Sequence, residues 1–160
     1  MNYFAGRINN IIDAHDLPDI NCMLQELSPD SAVVDKKTLC RFCEHANTYI
    51  ILACDEEDLG EKGFAKERGR IVGMVLVNFL RKWTGVYGFI DDVVVRKKNR
   101  GKKYGIIDKL LSEADTLALH LGARYVDLTC GRKPERDAAH RVYLRHGYVP
   151  RDSIPYRKKY

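Results

Sequence analysis

The sequence predicts a single α/β (α+β) domain over residues 1–160, a mixed, mostly antiparallel sheet of six to seven strands flanked by about four helices. Three observations predict it. Strand-like and helix-like segments follow the order β-α-α-β-β-β-α-β-α-β. Two long apolar runs, Arg70 to Lys82 and Val86 to Val95, meet at the tight turn Trp83-Thr84-Gly85, an antiparallel hairpin. From Gly105 to Leu121, Ile107, Leu110, Leu111, Ala114, Leu117, Ala118 and Leu121 fall on one helical face. The composition, 45% hydrophobic and 31% charged, excludes disorder, collagen and coiled coil.

The elements follow from local chemistry. Residues 7 to 13, RINNIID, are read as a short first strand. Asp16 can cap a helix that tolerates Pro18 in its first turn and carries Ile20, Met23, Leu24 and Leu27 as its apolar stripe. Ser28-Pro29-Asp30-Ser31 ends it, and Asp35 caps a second helix. YIILACD, Tyr49 to Asp55, is a buried strand by its β-branched run. Asp55 to Arg70 is charged, glycine-containing and aperiodic, hence a loop. After the hairpin and the long helix, Gly122 supplies a stop and Ala123 to Cys130 alternates as a strand. Pro134 opens a last helix with Ala139, Val142 and Tyr143 inward, followed beyond Tyr148 by a final short strand.

The longest apolar stretch, Ile71 to Leu80, is far shorter than the roughly 20 residues a membrane helix needs. The N-terminal MNYFAGRINN lacks the apolar core of a secretory signal. Five cysteines at irregular spacing suit reduced thiols, so a cytoplasmic protein without membrane partners is expected. Cys40-x-x-Cys43 with His45 lacks a second ligand pair, and Cys43 repeats with Leu39 and Phe42 at helical spacing. It is therefore read as a small core residue, and no metal is expected.

The net charge of +5 is concentrated. Arg96, Lys97, Lys98, Arg100, Lys102 and Lys103 lie in the junction between a strand and the long helix, interrupted by Gly101 and Gly105. A helix N-terminus offers unpaired N–H groups and partial positive charge, and glycines let a ligand approach the backbone closely. Such a junction suits a pyrophosphate, although neither the nucleotide P-loop nor the dinucleotide fingerprint is present.

IDDVVV, then RGKKYG, then an amphipathic helix, resembles the acetyl-CoA signature of the GNAT superfamily of N-acetyltransferases. The family's pyrophosphate loop, Arg/Gln-x-x-Gly-x-Gly/Ala, reads here Arg100-Gly101-Lys102-Lys103-Tyr104-Gly105, with Lys103 in place of the first motif glycine. Downstream, Ala139, Tyr143, Gly147 and Tyr148 match the family's Ala-x-x-x-Tyr-x-x-x-Gly-Phe/Tyr segment, and Arg136 stands where many members carry an asparagine. DLPDINCMLQEL is similar to the family's first helix.

The resemblance implies a sheet that splays, with the pantetheine arm pairing to the backbone of Val93, Val94 and Val95. It implies pyrophosphate binding by Arg100 to Gly105 and places Arg136 and His140 on the coenzyme side. Acetyl-CoA would then be the cosubstrate, attacked directly by a primary amine through a tetrahedral intermediate. An amine of pKa about 10.4 is only about 0.04% neutral at pH 7, so a base helps. Asp91 and Asp92 are the candidates, and adjacent strand residues face opposite ways unless a bulge intervenes. By the same resemblance Tyr143 is the general acid for the departing thiolate.

Two other readings compete. A catalytically silent acyl-CoA-binding or sensing module would keep the cradle without turnover. A nucleic-acid-binding domain would use the Arg96–Lys103 run, but no aromatic ladder interleaves with those charges, which disfavours it. The acceptor is expected to be a small-molecule amine or a protein lysine or N-terminus, and the resemblance allows a homodimer.

Overall fold

The computed structural model describes residues 1–57, 69–101 and 105–159. These divide into two compact units, Met1–Thr129 and Cys130–Tyr160. The first holds a sheet of five strands in the order β1-β2-β3-β4-β5, namely β1 (Asn2–Arg7), β2 (Thr48–Asp55), β3 (Arg70–Lys82), β4 (Gly85–Val95) and β5 (Ala123–Leu128). The first three pairings are antiparallel, and β5 joins β4 in parallel.

The first strand lies earlier than the reading of residues 7 to 13, and Ile8–Ile11 is instead a helical turn, α1. Ile8 and Ile12 are four apart, both buried, and the Ile12 N–H donates to the Ile8 carbonyl at 2.9 Å. That spacing meets on one side of a helix, not of a strand. Asp13 then caps a short 3-10 turn, taking the His15 N–H at 2.8 Å, while Asp16 takes the Asp13 N–H at 2.9 Å. Asp16 therefore completes a capping box rather than capping the helix α2 (Leu17–Leu27), which begins with Pro18 in its first turn as expected.

Helix α2 buries Ile20 and Met23 in a core with Leu52, Ile71, Met74 and Val94. Helix α3 (Lys36–Cys43) is capped by Asp35, which accepts the Thr38 N–H at 2.7 Å, a bond that holds its carboxyl below the usual value. Cys43 packs partly into this core, and burial pushes its thiol up, away from reactivity.

The opposite sheet face carries α4 (Ile106–His120), which buries Ile106, Leu110, Leu111, Ala114 and Ala118. The buried frame begins at Ile106 rather than Ile107. Leu110 and Ile106 sit so close to Gly73 that a Cβ there would meet them at 3.0 and 3.1 Å, so glycine on β3 sets the helix–sheet distance.

Helix α2 is tied to the sheet by charge as well as by apolar contact. Asp19 Oδ1 accepts from Arg96 Nη2 at 2.6 Å and from Arg70 Nη2 at 2.9 Å, and its Oδ2 accepts the Ile71 N–H at 3.0 Å. Arg96 is buried and spends its Nε on the Ile71 carbonyl at 2.9 Å. In the sequence Arg96 stands in the basic run of the junction; the structure turns it inward.

In the second unit a 3-10 turn, Pro134–Arg136, leads into α5 (Asp137–Arg145). The strand expected beyond Tyr148 is absent among the described residues, leaving five strands rather than six or seven. Pro150 and Pro155 lie in that stretch, and proline cannot donate to a ladder.

Removing the Asp19 carboxylate leaves Arg96 buried and unpaired. Asp19→Ala is expected to cost about 3–5 kcal/mol, read as a lowered denaturation midpoint. A loss under about 1 kcal/mol would show that the clamp is not what seats α2.

Candidate active site

The site begins where the sheet parts. The β4–β5 pairing runs from Val86↔Ala123 to Ile90↔Leu128 and stops, whereas β4 continues against β3 to Gly73↔Val95. From Asp91 to Val95 the far edge of β4 therefore has no strand partner among the described residues. Apart from the Val95 carbonyl, which accepts the Arg100 Nε–H, strand N–H and C=O groups without a ladder partner there are available to an extended ligand.

A bulge sits at the same place. Val75 pairs with Val93 and Val77 with Ile90, so two steps on β3 match three on β4, and the extra residue falls at Asp91–Asp92. Its effect follows from strand alternation. Asp91 shares a face with Phe89, whose cross-strand partner is Asn78; Asp92 shares a face with Val94, whose partner is Met74. Asn78 and Met74 are on the same face of β3, so the bulge brings both carboxylates to one side, the side that α2 covers.

The two carboxylates are not equivalent. Asp91 is exposed and accepts from Asn78 Nδ2 at 2.7 Å, while the Asn78 amide is oriented by Thr48, whose hydroxyl donates to its Oδ1 at 2.8 Å. Asp92 is half-buried, and burial, with a smaller contribution from the Asp91 charge, raises its carboxyl above the usual range. Thr48 and Asn78 were not singled out from sequence. The one signal was a lone amide inside the apolar run IVGMVLVNFL.

The junction after β4 is braced from α2. The Lys97 N–H donates to Glu26 Oε2 at 2.7 Å, and Arg100 Nη2 lies 3.5 Å from the same oxygen. Arg100 Nε donates to the Val95 carbonyl at 2.7 Å. Gly101 and Gly105 adopt φ of +110° and +57°, and a Cβ at either would meet no atom of the described residues within 4 Å. These positive φ values suit glycine, and the first N–H groups of α4 are of the kind that receives an anion. Lys102, Lys103 and Tyr104, the middle of the expected cradle, lie outside the described residues, as do residues 58–68 of the expected loop. Val94 and Val95 are buried through their side chains, so any ligand contact there belongs to the backbone.

Within the second unit, Tyr143 is half-buried on α5 with its ring 6.0 Å from that of Tyr148. Burial, with the neighbouring Cys130 adding and Arg136 opposing, pushes its phenol up to about 12. It therefore keeps its proton throughout the neutral range. His140 Nε2 lies 2.8 Å from the Gly131 carbonyl, a contact that requires this nitrogen to donate. Among the described residues no group of three or more His, Cys, Asp or Glu is placed to hold a metal ion.

Comparison with known proteins agrees with this geometry. A family model described as the acetyltransferase (GNAT) family matches residues 24–148. No curated protein matches the sequence. Among solved structures, the fold is similar to a Trypanosoma brucei acetyltransferase (18% identity, TM-score 0.72, 99% of this chain and 100% of that chain covered). It is similar to the ribosomal-protein-alanine N-acetyltransferase of Brucella melitensis biovar Abortus 2308 (17% identity, TM-score 0.70, 100% of both chains). Glucosamine-6-phosphate N-acetyltransferase from Arabidopsis thaliana is a third (21% identity, TM-score 0.71, 100% of this chain and 99% of that chain). At these identities the neighbours establish the fold, while the family model, spanning both units and the junction between β4 and α4, establishes descent: the chain belongs to the GNAT family of acetyltransferases.

Proposed function

We propose that residues 1–160 act as one acetyl-CoA-dependent N-acetyltransferase domain that moves an acetyl group onto a primary amine. The observation that carries this reading is the free β4 edge from Asp91 to Val95, which leads into the glycine-opened start of α4. A strand edge suits the amide-containing pantetheine arm, and a helix N-terminus suits the pyrophosphate. The residues assigned to the coenzyme are Val93, Val94, Val95 and the stretch Arg100 to Gly105, with Arg136 and His140 assigned from the family pattern. When bound, acetyl-CoA supplies an activated thioester that the amine attacks directly.

The chain's own residues manage the protons. Asp92 is assigned as the base, because its raised pKa makes it the better proton acceptor of the pair. Asp91, oriented by Asn78, is assigned to hold the substrate ammonium. Tyr143 is assigned as the donor to the departing sulfur. A phenol near 12 is a weaker acid than a thiol of about 8.5. It therefore supports the sulfur chiefly through a hydrogen bond as negative charge develops.

The acceptor is a primary amine, on a small molecule or on a protein. The reading takes the cytoplasm as the compartment, where all five free cysteines would stay reduced. No helix among the described residues is long and apolar enough to cross a membrane.

Calorimetric titration with acetyl-CoA tests the proposal directly. Stoichiometric binding is expected, and no binding at tens of micromolar would sink it. Binding without turnover across an amine panel would favour a silent coenzyme sensor instead.

Two side-chain predictions follow from the pKa shifts. Asp92 acts only when ionised, so kcat/KM should fall as pH drops through its raised pKa. Asp92→Asn should remove that acidic limb. The shift also carries a stability sign. A carboxyl whose folded pKa is raised favours the fold most when protonated, and that contribution is lost as pH rises through the folded value. Asp92→Asn should therefore unfold at a higher temperature than the wild type at pH 7, and a lower midpoint would count against a strained carboxylate. Tyr143→Phe is expected to lower kcat about 10²-fold with little change in KM. An unaltered kcat would remove Tyr143 from the proton path.

A further inference from the structure

The two carboxylates of α2, Asp19 and Glu26, are seven residues apart, two helical turns, and so share one side of the helix. They grip consecutive parts of the same loop. Asp19 holds the Arg96 guanidinium at 2.6 Å, and Glu26 accepts the very next N–H, that of Lys97, at 2.7 Å. The side chain of Glu26 is only 21% exposed. Arg100 closes the far end of the turn, with Nε on the Val95 carbonyl and Nη2 facing Glu26. The stretch from Arg96 to Arg100 is thus held at both ends, immediately before the glycines that open the start of α4.

A carboxylate is an unexpected neighbour for a phosphate site, because like charges repel. Here its charge is directed toward one backbone N–H, that of Lys97, and one guanidinium, that of Arg100. We propose that Glu26 is a positioning residue for coenzyme binding. By accepting the Lys97 N–H it fixes the loop in the shape that presents Gly105 and the α4 N-terminus to a pyrophosphate. Ordering the loop in advance lowers the entropy that binding must otherwise overcome. The inference rests on the acetyl-CoA reading above for its ligand, while the brace itself is a property of the free protein.

The test compares wild type, Glu26→Ala and Glu26→Gln by calorimetric titration with acetyl-CoA and by amide hydrogen exchange without ligand. Glu26 is used because Asp19 variants lose the fold's main clamp. Glu26→Ala is expected to weaken acetyl-CoA binding about tenfold and to speed exchange from Lys97 to Gly101, while α4 and β3 stay protected. Glu26→Gln keeps an oxygen for the Lys97 N–H and should bind within about twofold of wild type. That rescue would not be seen if the charge alone mattered. Unchanged binding in Glu26→Ala, tighter binding, or a Glu26→Gln variant as weak as Glu26→Ala would each overturn the proposal. A wild type that does not bind acetyl-CoA would overturn the functional reading. The exchange rates then decide the brace alone: faster loop exchange in Glu26→Ala supports it, and unchanged exchange refutes it.

Discussion

The Asp19 carboxylate is the contact on which the joining of α2 to the sheet depends. It joins α2 to the first residues of β3 and to the residue that follows β4, three segments far apart in the chain. Burying Arg96 without a partner would cost several kcal/mol, so this geometry is enforced rather than decorative. Apolar packing of Met23 and Ile20 against Ile71, Met74 and Val94 brings the same elements together. The ion pair fixes one point of α2 against the start of β3 and the end of β4. Arg96, the first residue after β4, is thereby held against α2.

A second constraint comes from the sheet itself. Because β5 stops pairing at Leu128, the far edge of β4 from Asp91 to Val95 has no strand partner among the described residues, normally a hazard for aggregation. The bulge lies at the start of that bare stretch and places two carboxylates on one face. Exposure of backbone groups and crowding of like charges both cost stability. The raised pKa of Asp92 records mainly its burial and, to a smaller extent, the charge of Asp91 beside it.

Much of this was readable in advance. The hairpin from Arg70 to Val95, the helix on Ile106–His120 and the Asp35 cap follow from period and turn chemistry, which are local. The first strand was misplaced because RINNIID offers apolar residues at both two- and four-residue spacings, and the buried pair Ile8–Ile12 chose the helix. The final strand failed against two prolines. Arg96 belongs to a run of basic residues, and such a run does not reveal which member faces inward. Its partner stands 77 residues earlier.

By itself the sequence determined the central hairpin, the long helix after it and the Asp35 cap, together with the glycine positions of the junction and the spacing of Tyr143 from Gly147. Hydrophobic period, glycine freedom and side-chain chemistry all act within a few residues. Only the tertiary structure decided which face Asp91 and Asp92 share, that Asn78 orients one of them, and that α2 braces the loop through Asp19 and Glu26. Those outcomes depend on cross-strand register and on contacts between segments many residues apart. A one-residue slip would reverse the first, and no local pattern encodes the last.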